Sequence, residues 1–452
     1  MNEPWRLTLS EGIRRIREGR LTASAWVQSL LGRVDALEER VRAWVQVDRE
    51  GALAAAARID QGEIRGGLSG APVGIKDIID VKGLVREAGS PLFKGYVPEE
   101  DSVAAGRLRA AGAIILGKTV TTQFANPDPG PTRNPWNLSR SPGGSSSGSA
   151  AAVACGMVPA ALGSQTGGSV IGPATFCGVV GFKPTRGRVP LAGVFSLSWT
   201  LDHLGVLSRT AEDAALLLAH IAGAHPADDT AADAPVPDYP AESLPRRPGS
   251  VLFLKGLLSR AHPEVADAAL REAARLREAG VAVEEGDLPF DFDLMHATHR
   301  IIMRAEAASY HEALFRACPE DYAPTIRQTV LSGFMIPAVH YLRALRFRAR
   351  LARELETLLR RHELLLLPSM ASFPPPWGAA PGGKPSQVNR LATEAFSHSG
   401  LPCITLPAGR GKEGLPMGLQ LGGRRFGESD LLAAARWCEE ELGWRSEIAN
   451  PA

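Results

Sequence analysis

Ser141-Pro142-Gly143-Gly144-Ser145-Ser146-Ser147-Gly148-Ser149-Ala150-Ala151-Ala152-Val153-Ala154 runs a glycine–serine loop straight into a helix built almost wholly of small residues. A flexible linker shares the composition of the first half, but linkers do not usually continue into a small-residue helix suited to close packing in a core. Downstream, Gly163-Ser164-Gln165-Thr166-Gly167-Gly168-Ser169-Val170-Ile171-Gly172-Pro173-Ala174 places two glycines directly before a serine. Such a backbone can turn its N–H groups toward the hydroxyl, which an oxyanion hole requires. Upstream, Pro72-Val73-Gly74-Ile75-Lys76-Asp77-Ile78-Ile79-Asp80 sets a lysine among apolar residues that predict a buried strand. Burial disfavours the ammonium and lowers its pKa, making the amine a usable base; a lysine snorkelling from a strand edge is the competing reading. On a strand Lys76 and Asp77 point to opposite faces, so Asp77 need not keep Lys76 charged.

Around these segments the texture is α/β. Apolar residues from about 8 to 47 recur with helical spacing, from Leu9, Ile13 and Ile16 to Val41 and Trp44, which predicts two packing helices. From Pro72 short apolar runs alternate with glycine, and Ala113-Ile114-Ile115-Leu116 after the helix-like Ser102 to Ala111 typifies them. An Ala-, Asp- and Pro-rich stretch, 224–250, reads as a surface connection free to move. Beyond it come a strand at Val251–Leu254, a helix from Pro263 to Ala279 and a strand at Val281–Val283. A helical middle (about 291 to 361) leads to strands at Leu364–Leu367, Cys403–Leu406 and Gly418–Leu421, then a helix from about Glu428 to Leu442.

Bulk composition excludes several classes. Fifty basic and 49 acidic residues give a net charge of +1, so no electrostatic footprint for nucleic acid or an anionic membrane stands out. Five scattered cysteines fit neither a disulfide framework nor a C-x-x-C metal pattern, which suits a reducing compartment. No stretch approaches the roughly 20 apolar residues of a membrane span, so the expected location is cytoplasmic.

Several motifs mislead. Gly112 to Thr119 satisfies G-x-x-x-x-G-K-[ST], but the four intervening residues are themselves the strand and leave nothing to wrap a phosphate. Gly144-Ser145-Ser146-Ser147-Gly148 fits G-x-S-x-G, yet the upstream Asn134 to Pro142 is turn-like where a nucleophile elbow needs a strand. His296 and His299 stand at i, i+3 with no further ligand at a matching offset, and they read as a solvated or packing pair. His311-Glu312 and His362-Glu363 each lack the second histidine of a zinc-protease motif.

Taken together, Lys76, the glycine–serine loop and the T-G-G-S segment 24 residues beyond Ser145 closely resemble the amidase signature family. Supporting stretches are Leu108 to Thr119, Cys177 to Val189, Gly400-Leu401-Pro402 and Gly414 to Leu421, so the resemblance covers nearly the whole chain. It implies one α/β/α domain with a large mixed central β-sheet: N-terminal helices in 1–65, the signature core in 66–223, and a C-terminal α/β portion in 251–452 that completes sheet and pocket. It also implies a relay in which Ser169 is the nucleophile, Ser145 a bridging serine after a cis peptide bond, and Lys76 the terminal base. Backbone N–H groups of Thr166, Gly167, Gly168 and Ser169 would form the oxyanion hole, with no metal or organic cofactor. Phe124, Ala125, Asn126, Gly144, Gln165 and Gly172 are the expected substrate-contacting positions.

The chain departs from the family at two of these positions. Many relatives carry Asp where Gln165 stands, and malonamate-type members carry at the position of Gly172 an arginine that holds the substrate carboxylate. Gln165 and the triple serine otherwise resemble that branch. Loss of a guanidinium clamp points to a neutral acyl or carbamoyl group, with Arg300 or Arg304 as substitute sources of charge. The expected substrate is thus a small neutral carboxamide, anilide or carbamate, with ester or urethane cleavage within reach of an acyl-enzyme. The alternatives are the glutaminase subunit of a tRNA-dependent amidotransferase and a noncatalytic scaffold. A small-molecule substrate is the expected partner, with no nucleic acid or membrane; a homodimer is compatible with the sequence.

Overall fold

The computed structural model describes residues 3–379 and 384–451, the last stretch with side chains from Asn389 onward. Among the described residues, eleven strands form one mixed sheet: β1 Trp44–Val47, β2 Pro72–Lys76, β3 Ile114–Thr119, β4 Ala160–Gln165, β5 Val180–Lys183, β6 His203–Ser208, β7 Ser250–Leu254, β8 Ala282–Gly286, β9 Leu364–Pro368, β10 Cys403–Arg410 and β11 Pro416–Gly422. Their order across the sheet is β1-β3-β2-β4-β6-β5-β10-β11-β9-β7-β8. Every residue of β2, β3, β4, β5, β6, β9 and β11 is buried, as expected where helices cover both faces. The outer strands are blunted: β1 has four residues, and β8 exposes Glu284 and Glu285.

The first and second halves of the chain meet where β5 pairs antiparallel with β10, Cys403 opposite Lys183 and Thr405 opposite Gly181. They share one sheet, so the stretch 224–250 does not separate two domains. It runs over the surface yet is tied down, contrary to the freedom its composition suggests. Arg188 donates to Ala234 O and Pro235 O, Asp228 accepts the Leu191 N–H, and Tyr239 is fully buried.

The N-terminal region differs from its helical reading in one place. Helices Leu9–Arg17 and Ala23–Val41 form, each capped by a threonine, Thr8 and Thr22. The second ends where Arg42 adopts a left-handed φ of 55°, and Trp44 lies on edge strand β1. Val41 and Trp44 imitate helical spacing across that break.

Small side chains let the core elements approach closely. Helix Ser147–Ala154 is buried along its whole length. A Cβ on Gly148 would lie 2.2 Å from Ala43 O and 2.3 Å from Val120 N, so only glycine fits against this backbone.

Candidate active site

Lys76 ends β2, with its side chain fully buried. Its Nζ lies 2.7 Å from Ser145 Oγ and 2.8 Å from Ser164 Oγ. Among the described residues no carboxylate pairs with it. Burial pushes its pKa down to about 7, against a smaller upward pull from the charge of Asp202. The neighbouring Asp77 serves a different lysine: Lys118 Nζ is 3.1 Å from Asp77 Oδ1 and donates to Ile79 O and Val85 O at 2.8 Å. Lys118 is the lysine of the phosphate-loop-like motif, and it sits on β3 as a buried structural cation.

Ser145 follows a cis Gly144–Ser145 peptide bond and precedes Ser146, whose N–H donates to Ser169 O at 3.2 Å. That bond joins the two serine-bearing loops. Ser169 lies between the end of β4 and helix Ile171–Cys177. Its hydroxyl forms no hydrogen bond among the described residues. The N–H groups of Gly167, Gly168 and Ser169 likewise donate to no acceptor among the described residues, and all three residues are half-buried on the cavity wall. They can receive an anionic oxygen forming beside the Ser169 hydroxyl.

The loop is clamped from behind. Gln165 Oε1 accepts the N–H groups of Val170 (2.9 Å) and Ile171 (3.0 Å), and its Nε2 donates to Ser397 Oγ at 2.9 Å. Ser397 in turn donates to Gly167 O at 2.8 Å. His299 Nε2 lies 3.1 Å from Thr166 O, while Thr166 Oγ1 donates to Asp202 Oδ1 at 2.5 Å. Asp202 also accepts the Leu197 and Ser198 N–H groups, and burial raises its pKa despite these bonds.

A cavity of about 700 Å³ opens over these loops, within the range that holds small ligands. Ser145, the segment Thr166–Ser169, Ala125, Asn126, Gly144 and Gly172 all line it. Lys76 lies behind Ser145, outside the lining. Two of the expected substrate-contacting positions do not reach the cavity. Phe124 is fully buried in an aromatic cluster, stacked on Phe195 with centroids 5.1 Å apart and tilted on Tyr322 at 5.2 Å. Gln165 spends both ends of its amide on the clamp. Of the two arginines considered as substitutes, Arg300 lines the cavity and Arg304 does not.

Sequence reasoning missed Ser164, Asp202 and Arg390, and set aside His296 and His299, which the structure places at the cavity. These last form no metal site: among the described residues no group of three or more His, Cys, Asp or Glu could hold a metal ion. Nor is any described helix long and apolar enough to cross a membrane.

The amidase family model matches residues 25–432. A glutamyl-tRNA(Gln) amidotransferase subunit from Roseiflexus sp. (strain RS-1) is 34% identical, over 98% of this chain and 98% of its own. A solved structure described as an amidase is 33% identical, with a TM-score of 0.85 and coverage of 96% of this chain and 99% of its own. Another, from a vestigial protein complex said to reveal the evolutionary origins of an s-triazine catabolic enzyme, is 30% identical with a TM-score of 0.89, covering 99% and 100%. Together with the family match across most of its length, these likenesses show that the chain belongs to the amidase family.

Proposed function

We propose that the protein hydrolyses a C–N bond of a small amide or carbamate through a serine acyl-enzyme. Neutral Lys76 accepts the Ser145 proton as Ser145 accepts that of Ser169, and Ser169 Oγ attacks the substrate carbonyl. The N–H groups of Gly167, Gly168 and Ser169 hold the oxyanion. Collapse breaks the C–N bond while the relay returns the proton to the leaving nitrogen, and water then releases the acid and regenerates Ser169. The observation that carries this reading is the environment of Lys76: fully buried, bonded to two hydroxyls, and lowered to about 7, so that a large fraction is uncharged at neutral pH. The link from Ser145 to Ser169 is not hydrogen-bonded in this conformation, and such contacts often tighten only with substrate in place.

Beside the nucleophile the pocket offers no charge at the position of Gly172. A Cβ built there would lie 3.5 Å from both Met370 Sδ and Cε, so this wall receives an uncharged portion of the acyl or carbamoyl group. Malonamate, with its carboxylate one carbon from the scissile carbonyl, is expected to be a poor substrate compared with neutral alkyl or aryl amides. Replacing Ser169 with alanine is expected to lower turnover of such an amide by about four orders of magnitude or more in protein that keeps its thermal midpoint. Unchanged turnover would leave the noncatalytic scaffold as the better account.

A second reading draws on the relatives. The similarity to glutamyl-tRNA(Gln) amidotransferase subunits spans the chain, which favours a glutaminase role within a complex. Ammonia release from free glutamine, raised by a co-purifying partner chain, would establish it over the first.

A further inference from the structure

The amides of Gly167, Gly168 and Ser169 belong to three consecutive peptide units, and each unit has its carbonyl held by a donor. Thr166 O, in the unit that ends at Gly167 N, lies 3.1 Å from His299 Nε2. Gly167 O, in the unit that ends at Gly168 N, accepts from Ser397 Oγ at 2.8 Å. Gly168 O, in the unit that ends at Ser169 N, accepts the Gly172 N–H at 2.8 Å. Among the described residues the cis bond is Gly144–Ser145, so all three of these units are trans. In a planar trans peptide the C=O and N–H point in opposite directions, so a hydrogen bond on the oxygen fixes where the amide aims. It also polarises the unit, which strengthens the amide as a donor.

The holders differ in origin. The Ser169 amide is set locally, by the turn that opens helix Ile171–Cys177. The other two depend on side chains from distant helices, His299 on Phe292–Ala317 and Ser397 on Lys384–Ser399. Ser397 Oγ lies closer to Gly167 O than to Thr393 O in its own helix, 2.8 Å against 3.4 Å. The His299 nitrogen that faces Thr166 O carries its hydrogen, because a carbonyl oxygen only accepts. His299 Nδ1 is buried with no hydrogen-bond partner among the described residues, 3.7 Å from Glu394 Oε1, and Glu394 Oε2 is taken by His296 Nδ1 at 2.7 Å. A Cβ on Gly167 would lie 3.4 Å from His299 Cε1 and 3.9 Å from Glu394 Oε1, so the imidazole rests against the very peptide it holds. This 1% exposed ring thus places its one hydrogen bond among the described residues on the loop that carries Ser169.

We infer that His299 and Ser397 are positioning residues of the reaction: by holding the Thr166 and Gly167 carbonyls, they aim the Gly167 and Gly168 N–H groups at the oxygen that becomes negative as Ser169 attacks. This deepens the hydrolase reading and rests on it for the attack itself. Neither side chain takes a proton in the relay. Their effect falls on the transition state, where that oxygen carries charge, and little on a bound neutral amide.

Acetanilide turnover and phenylboronic acid binding test this. The trigonal boron accepts the Ser169 oxygen while the serine proton leaves through the relay, which gives a tetrahedral anion like the one the amides hold. His299→Leu is expected to lower kcat by about tenfold to a hundredfold, less than the roughly 10²–10³ of deleting an oxyanion donor outright, with KM changed by no more than about twofold. Phenylboronic acid should bind more weakly by the same factor as kcat falls. His299→Gln, which keeps an N–H within reach of Thr166 O, should restore most of both. Ser397→Ala, a one-atom deletion, should repeat the two losses at the neighbouring peptide, and it decides the matter where the leucine substitution prevents folding. Unchanged kcat and boronate affinity in both deletions, a loss confined to KM, or failure of His299→Gln to restore either quantity overturns the assignment. So does a parent protein that forms no boronate adduct dependent on Ser169. Absence of acetanilide turnover in the parent is scored separately, against the hydrolase reading, while the boronate affinities need no turnover and still decide the positioning.

Discussion

Lys76 and Lys118 are buried on adjacent strands, with Lys118 opposite Ile75 and Lys76 opposite Thr119 in the parallel pairing of β2 and β3. Both side chains are fully inaccessible, and burial lowers both pKa values. Their partners differ. Lys118 has a carboxylate and two carbonyls, acceptors that favour an ammonium, whereas among the described residues Lys76 has two hydroxyls as its partners, one of them on the cavity wall. Burial alone does not make a base; the surrounding acceptors decide whether the proton stays. The contrast also separates the two lysine contexts in the sequence: a strand lysine bonded to Ser145 and Ser164, and a phosphate-loop match whose lysine pairs with Asp77.

Exchanging each lysine for methionine should pull the two apart. Lys76→Met is expected to lower kcat/KM by about 10²–10⁴-fold, the range for losing general-base assistance, with no loss in urea midpoint. Activity within tenfold of the parent would break the distinction. Lys118→Met should act on stability instead, costing about 3–5 kcal/mol because it strands Asp77, whose carboxyl burial already raises to about 6. Denaturant unfolding measures that cost, and a second substitution, Asp77→Asn, should recover part of it.

A pH series sharpens the comparison. Only the neutral amine of Lys76 is a base, so kcat/KM should rise with pH through an inflection near 7 and level off above it. Stability carries the same signature. Between about 7 and the ordinary lysine value of 10.5 the unfolded chain binds the proton that the folded chain has lost, so this group makes stability rise with pH by up to about 1.4 kcal/mol per unit. Below that window its contribution is flat and unfavourable. Lys76→Met should remove this component of the slope. The smallest effect is expected from Ser164→Ala, which leaves Lys76 one hydroxyl fewer: the ammonium loses an acceptor, and the activity inflection should move below that of the parent. An upward shift would mean that Ser164 does not stabilise the charged form.

Much of this was readable because it is local. The strand around Lys76, the small-residue helix and the glycines before Ser169 each announce themselves within a dozen residues. What stayed hidden is assembled across the fold. Asp202 is a lone carboxylate 33 residues beyond Ser169 with no pattern around it, and it becomes significant only because β6 lies beside β4. Residues near Ser397 are expected from the sequence to help wall the pocket, but Ser397 and Arg390 lie on the helix Lys384–Ser399, and their spacing acquires meaning only when that helix faces the loop that carries Ser169. Phe124 misled for the opposite reason. An aromatic residue beside cavity-lining Ala125 and Asn126 looks like a pocket wall, but its positive φ of 50° accompanies a side chain packed into the core.

The seam between β5 and β10 gives the molecule a property its covalent chain conceals. Ser145 and Ser169 come from one side of the 224–250 connection, Arg300, Arg390 and Ser397 from the other, and the backbone linking the two sides skirts the outside. A nick in that external tether would produce two polypeptides still zipped along a common sheet, so separately expressed halves should be able to complement one another and rebuild a working pocket.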